Sequence, residues 1–249
     1  MLSINHQFNY ILMNSSILGN KAIRQYLEEG EIIIEPFNEK NLNTNSYDIT
    51  LGKWYFREQP RNVDESNIYN MYSEDNVKRV WGEPQCAKPY AFYKDKGIHL
   101  ENIRDDELVI FIEPFETILG HSNEFIGGKT HITTMLKSRS SIGRNFINIC
   151  SCAGLGDVGF FNKYTLEIKN NSRKYTIPLV INRRLGQILF MDVYEIDDQK
   201  NNYNETGKYQ KQHTLEELKA NWTPYDMLPK MYLDFENPDK INEDDNENK

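Results

Sequence analysis

The 249-residue sequence lacks the features that mark secreted and membrane proteins. It has only three cysteines, Cys86, Cys150 and Cys152, and an odd number of thiols cannot form a complete disulfide framework. No apolar run approaches the ~20 residues of a membrane-spanning helix. The N-terminus has no basic stretch followed by an apolar one, so no signal peptide is predicted. We therefore expect a soluble, cytoplasmic protein with free thiols and no membrane partner.

Positive charge is also scarce. The formal net charge is −8 and the pI is near 5.3, whereas a nucleic-acid-binding surface needs a broad basic footprint, so no nucleic-acid partner is expected. A glycine-rich P-loop is missing as well. Against this background the stretch S-R-S-S-I-G-R, residues 138–144, is unusual, because Arg139 and Arg144 flank the hydroxyls of Ser140 and Ser141. Such a local cluster of donors suits a single phosphate group.

Hydrophobic periodicity predicts a mainly β protein with one early helix. Ala22, Ile23, Tyr26 and Leu27 share one helical face, and Gly30 is a natural stop. E-I-I-I-E-P and S-Y-D-I-T-L-G then read as short strands, and seven more follow between residues 108 and 193 with turn residues between them. No helix there is long enough for a βαβ unit, which favours an antiparallel sandwich or barrel. Residues 53–106 are interpreted as an insertion with hairpins.

Two enzyme chemistries are weighed and set aside. His99-Leu100-Glu101 matches half of the zinc-deaminase signature, but no P-C-x-x-C follows it. Cys150 and Cys152 have the wrong spacing for that signature, and they are expected as buried or half-buried thiols on one face of a strand. A serine nucleophile would need a partnered base, and none of the histidines has a local relation to Ser140 or Ser141. No zinc site is predicted.

A second polar cluster lies further along, in A-G-L-G-D-V-G-F-F-N-K-Y-T-L-E-I-K-N, residues 153–170. Asp157 falls in a turn bounded by Gly156 and Gly159. Glu167 falls in an alternating strand, on the face opposite Leu166. A lone strand glutamate is usually solvated, but an aspartate turn and a serine–arginine cluster in the same region suggest a nucleotide pocket.

Four motifs follow one another along the chain: S-R-S-S-I-G-R, A-G-L-G-D-V-G-F, Y-T-L-E-I-K-N and L-G-Q-I-L-F. Their sequences and order resemble those of the dCTP deaminase branch of the dUTPase superfamily. Two flanking segments agree with it: the S-x-D-x-x-L-G strand near residue 50 and G-K-Y-Q-K-Q, residues 207–212. The resemblance covers roughly residues 16–215. Four positions depart from the family pattern: Ser138, Gly156, Val158 and Asn162.

The resemblance implies a homotrimer of distorted jelly-roll β-barrel subunits of the dUTPase-like fold, with active sites at subunit interfaces. It implies hydrolysis of dCTP to dUTP and ammonia without zinc, with Mg²⁺ entering only on the triphosphate. Glu167 would activate water, Ser140 would position that water, and Arg144 would stabilise developing charge. The expected substrate-binding residues are Arg139 and Ser141 for the phosphates, Ala153 for the base, Asp157 for the 3′-hydroxyl, and Lys208, Tyr209 and Gln212 in a C-terminal lid.

Three functions stay open at this point. The first is a monofunctional deaminase that releases dUTP, and the second is a bifunctional form that also cleaves dUTP to dUMP and pyrophosphate. A-G-L-G-D looks slightly more like the bifunctional members. The third is a non-catalytic nucleotide-binding relative. The predicted divisions are an N-terminal extension (1–15), the barrel (16–196), the lid (197–215) and a polar acidic tail, partly disordered (216–249).

Overall fold

A computed structural model of the chain describes residues 17–193, 196, 203 and 207–234. The predicted N-terminal extension, residues 1–15, lies outside them. Within the described residues, none of the helices has the length and apolar character needed to cross a membrane.

The early helix and the two strands after it form as predicted. Helix α1 spans Asn20–Glu28 and buries Ile23 and Tyr26 on one face, while Gly30 follows its end with a φ of 78°. Strand β1 spans Ile32–Glu35 and strand β2 spans Tyr47–Thr50. All four residues of β2 are buried, so this strand has no solvent face.

The strands form antiparallel sheets. The largest has the order β4–β3–β7–β11–β9, with β1 also paired to β7, and its further strands are β3 (Trp54–Arg57), β4 (Gln85–Cys86), β7 (Thr117–Gly128), β9 (Ile147–Asn148) and β11 (Phe161–Asn170). A second has the order β10–β8–β13–β2, with β8 (Ile132–Ser138), β10 (Leu155–Gly156) and β13 (Arg184–Asp192). A third joins β12 (Ile177–Val180), β6 (Leu108–Ile112) and β5 (Lys88–Pro89).

One large apolar core lies between these sheets. Leu166 and Ile168 of β11, Ile49 of β2 and Ile188 of β13 contribute to it, all fully buried. Burial of each such side chain stabilises the fold by about 1.5–3 kcal/mol relative to exposure. The predicted mainly β, antiparallel jelly-roll architecture is confirmed.

The region 53–106 is more than an insertion with hairpins. It contains helix α2 (Glu74–Trp81) and helix α3 (Tyr90–Lys94), and its strand β3 pairs with β7 in the main sheet. Ser73 caps α2 by accepting from the Asn76 N–H, and Val77 anchors the helix in the core. One buried residue per helix is too sparse a signal for periodicity to reveal.

Residues 216–234, which the sequence analysis assigned to a polar, partly disordered tail, contain helical elements. The barrel itself contains one further short helix, α4 (Ser140–Arg144). The C-terminal part contains helix α5 (Leu215–Asn221) and 3₁₀ helices at Pro224–Met227 and Met231–Leu233. A capping box between Thr214 and Glu217 starts α5, and Leu218, Met227 and Leu228 are buried. Residues 235–249 lie outside the described part.

The cysteines are free, as expected, but two of them are placed differently from the prediction. Strand β9 ends at Asn148, so Cys150 and Cys152 lie in a bend after it and do not share a strand face. Cys152 has a φ of 67° and is exposed, and Cys150 is half-buried. The bend brings the Ser151 N–H to the carboxylate of Glu167 in β11.

Candidate active site

A cavity of about 920 Å³ opens beside strand β11. Its volume lies within the 300–1,000 Å³ typical of small-molecule sites. The strand, the turn 151–160 and the C-terminal part 207–234 supply most of its wall. Of the residues predicted from the sequence, those that line it are Glu167, Ala153, Asp157, Lys208 and Tyr209.

Glu167 occupies the centre of β11, where it pairs in register with Leu119 of β7. The predicted alternation is confirmed, because Leu166 and Ile168 are buried while Glu167 is half-buried on the opposite face. The Ser151 N–H donates to Oε2 of Glu167 at 3.1 Å. Among the described residues Oε1 has no hydrogen-bond partner, so this oxygen can accept a proton from a water molecule.

The Asp157 turn is held by two neighbouring strands. Gly156, in β10, pairs with Thr134 of β8, and the Thr133 hydroxyl donates to the Gly156 carbonyl at 2.8 Å. Gly159, at a φ of 91°, closes the turn. These contacts present the exposed carboxylate of Asp157 at the cavity wall.

Packing explains why glycine occupies position 156, one of the departures from the family pattern. A Cβ at this position would lie 2.0 Å from the Tyr164 hydroxyl and 2.3 Å from Thr134 Oγ1. The Tyr164 hydroxyl therefore fills the space of the missing side chain, and it is hydrogen-bonded to Thr134. Burial raises the pKa of Tyr164 far above its ordinary value, so the hydroxyl stays neutral.

The serine–arginine cluster does not reach this cavity. Ser140, Ser141 and Arg144 belong to α4, which is exposed, and none of them lines the cavity of Glu167. The same holds for Arg139 and Gln212. Within one chain the structure thus separates the predicted water-positioning residues from the predicted base.

Asp48 forms an ion pair with Arg139 of the serine–arginine cluster. Sequence analysis assigned Asp48 no role. Its carboxylate is 1% exposed and lies 3.2 Å from Nε of Arg139 and 3.3 Å from Nη1 of Arg184. A buried carboxylate needs such partners. The S-x-D-x-x-L-G motif contains this aspartate and could have drawn attention to it. Asp48 fixes the guanidinium of Arg139, the residue that precedes α4.

The segment 207–212 lies along the start of β11. The Asn162 amide donates to the Tyr209 carbonyl at 3.2 Å. Gln210, which is buried, accepts from the Phe161 N–H at 2.9 Å and donates to the Gly159 carbonyl at 3.0 Å. Sequence analysis assigned the neighbouring Gln212 and missed Gln210.

Further cavity residues were missed because no local motif marks them. Trp81 comes from α2, whereas Trp222 and Asp234 come from the C-terminal part. All three reach the cavity only through long-range packing.

His121, beside β11 in the main sheet, is a buried neutral side chain. Its Nδ1 lies 2.7 Å from the Ser122 carbonyl, which can only accept, so Nδ1 carries the proton. Nε2 then accepts from the Trp54 N–H at 3.2 Å. Burial lowers the pKa of His121 to about 4, which leaves the ring uncharged at neutral pH.

Comparison with known proteins gives a consistent set of matches. A family model described as dCTP deaminase-like matches residues 17–193. A relative from Methanocaldococcus jannaschii, named "dCTP deaminase, dUMP-forming", is 29% identical over 204 residues, which is 80% of this chain and 93% of the relative. A relative of the same name from Methanococcus maripaludis is 32% identical over 178 residues, covering 70% of this chain and 80% of the relative.

Among solved structures, a 2′-deoxycytidine 5′-triphosphate deaminase from Agrobacterium tumefaciens aligns with a TM-score of 0.47 at 15% identity. The alignment covers 77% of this chain and 53% of that one, so the chain spans about half the length of that protein.

Proposed function

The chain belongs to the dCTP deaminase-like family, and on that premise we propose that it converts dCTP and two water molecules to dUMP, pyrophosphate and ammonia. The sequence alone favoured release of dUTP. The names of the M. jannaschii and M. maripaludis relatives favour the dUMP-forming alternative instead. The observation that carries the proposal is Glu167 in a nucleotide-sized cavity beside Asp157.

Deamination is the hydrolysis of the C4–N bond of a cyclic amidine. In this proposal Glu167 takes a proton from water as the oxygen attacks C4, and returns it to the departing amine. Positioned general acid–base groups of this kind contribute about 10²–10⁴-fold to rate. The Ser151 N–H holds one carboxylate oxygen at 3.1 Å, which leaves the other for the water. This route uses a carboxylate in place of zinc.

The base and sugar would be read from the turn 151–160. We assign the Ala153 backbone to the edge of the cytosine ring and the Asp157 carboxylate to the 3′-hydroxyl. Both line the cavity with Glu167. A site that hydrogen-bonds a substrate hydroxyl discriminates against an analogue that lacks it.

The triphosphate would be held from two sides. Lys208, Tyr209 and Gln212 are proposed contacts on one side, with Lys208 and Tyr209 already at the cavity wall. Arg139, Ser140 and Ser141 are the others, because guanidinium and hydroxyl donors suit phosphate oxygens. In the described part of the chain no group of three His, Cys, Asp or Glu side chains could hold a metal ion. We propose that Mg²⁺ enters with the triphosphate.

A second copy of the chain would complete the site. Ser140 and Arg144 are exposed and outside the cavity of their own chain, so they are available to a neighbour's Glu167. A cyclic trimer makes such head-to-tail contacts, in which one surface of each subunit meets a different surface of the next. We propose a homotrimer with sites between subunits.

The test is incubation of the protein with dCTP or dUTP in the presence of excess Mg²⁺ and a zinc-selective chelator. Chromatography should find dUMP from both nucleotides. Accumulation of dUTP from dCTP, with dUTP itself left intact, would instead support the monofunctional alternative. If both nucleotides are recovered unchanged, the proposed activity is wrong.

A further inference from the structure

The C-terminal part of the chain is built onto the barrel beyond the residues that the family model matches. We call residues 214–234 the C-terminal clamp. Its Leu218 packs with Phe125 and Phe161 of the main sheet. Its Met227 and Leu228 belong to a second apolar cluster with Phe56 and Leu119. These buried side chains fix the clamp in place, since a full burial of each is worth about 1.5–3 kcal/mol.

The clamp contacts the segment that carries the proposed phosphate ligands. The Lys230 N–H donates to the Tyr209 hydroxyl at 3.1 Å, and the Lys230 ammonium lies 5.4 Å from the centre of the Tyr209 ring. The Lys208 ammonium is paired with the Asp234 carboxylate. The segment 207–212 is thus held between β11 and the clamp.

The ion pair places a negative charge inside the proposed phosphate site. Lys208 and Asp234 both line the cavity that contains Glu167, and their side chains are 27% and 46% exposed. An incoming phosphate oxygen needs the same ammonium that Asp234 holds. Like charges sharing one cation repel, so the two anions compete.

We propose that Asp234 competes with the terminal phosphates of the substrate for Lys208 and so lowers the affinity of the site for the triphosphate. A triphosphate carries enough charge to displace the carboxylate from the lysine. A nucleoside monophosphate has no β- or γ-phosphate to do so, and Asp234 then keeps Lys208. The competition therefore weakens binding of the triphosphate and leaves binding of the monophosphate unchanged. This inference rests on the proposed function, which assigns the phosphates to Lys208.

Equilibrium binding tests it without relying on turnover. Calorimetric titration with Mg²⁺ and the α,β-imido analogue of dUTP, which resists cleavage, would compare wild type with Asp234→Asn. The variant should bind the analogue about two- to five-fold more tightly, the range that corresponds to the energy of an exposed ion pair. Affinity for dUMP should not change.

Two matched variants serve as controls. Asp234→Glu keeps the charge and should bind as wild type does. Asp105→Asn removes a comparable exposed carboxylate, paired with Lys94 at 3.0 Å and absent from the cavity wall, and should also bind as wild type does. Equal affinity of wild type and Asp234→Asn for the analogue, or an equal tightening for dUMP, overturns the inference. If wild type binds neither the analogue nor dUMP, the proposed function itself is wrong.

Discussion

Mixing two inactive variants would show whether each active site draws residues from two subunits. Glu167→Gln removes the proposed base, and Ser140→Ala removes the hydroxyl proposed to position the water. Glu167 lines the cavity, whereas Ser140 is exposed on α4 outside it. Each variant alone should have little dCTP deaminase activity, because every site in its trimer lacks one of the two groups.

The expected recovery follows from counting subunits. In a trimer assembled at random from equal amounts of the two variants, half of the sites have an intact Glu167. Half of those face a neighbour with an intact Ser140, so about a quarter of the wild-type activity should return in a cyclic head-to-tail assembly. Co-expression with different affinity tags, followed by ammonia release from dCTP, measures this fraction.

A mixture of Ser140→Ala with Arg144→Ala is the matched control. Both residues belong to α4 of one chain, so no combination of these subunits restores a complete loop and activity should stay low. No recovery in the Glu167→Gln and Ser140→Ala mixture would refute the two-subunit site, provided that mass measurement shows mixed trimers. Recovery in the control mixture would contradict it equally.

Three further predictions concern single positions. Glu167→Gln should lower steady-state turnover of dCTP by about 10²–10⁴-fold and leave dCTP binding intact, because the Ser151 N–H can donate to the amide oxygen; near-wild-type turnover would remove Glu167 from the chemistry. Gly156→Ala should lower the free energy of unfolding by about 1–3 kcal/mol through overpacking, and adding Tyr164→Phe should restore part of it in denaturant titrations; an unaffected single variant would contradict the packing account. His121 has a folded pKa of about 4, below its ordinary 6.5. The unfolded chain therefore binds more protons between these values, and the free energy of unfolding should fall on the order of 3 kcal/mol as pH drops from about 6.5 to 4. His121→Gln should lose this component of the pH dependence, and identical profiles for the two proteins would show that the ring does not titrate as described.

The parts of the site that the sequence predicts correctly are those set by local pattern. Alternation placed Glu167 on the face opposite Leu166 and Ile168, and the glycines around Asp157 indicated its turn. These features depend on residues a few positions apart. They are visible without knowledge of the tertiary structure.

The parts it misses depend on contacts between distant residues. Gly156 is explained only when Tyr164 is seen to fill its space. Pro224 and Pro229 divide the clamp into short pieces, so its apolar residues, among them the buried Leu218 and Met227, do not follow one helical or strand period. Separation of Ser140 from the cavity of Glu167 is likewise a matter of three-dimensional distance that spacing along the chain does not encode.

The most direct test of the proposed activity is the stoichiometry of one reaction. Wild-type protein is incubated with dCTP and excess Mg²⁺, and ammonia and pyrophosphate are measured in the same samples over time. We predict that both appear in amounts equal to the dCTP consumed. Ammonia without pyrophosphate would contradict dUMP formation, and dCTP that yields neither product would contradict the assignment of the cavity as a dCTP deaminase site.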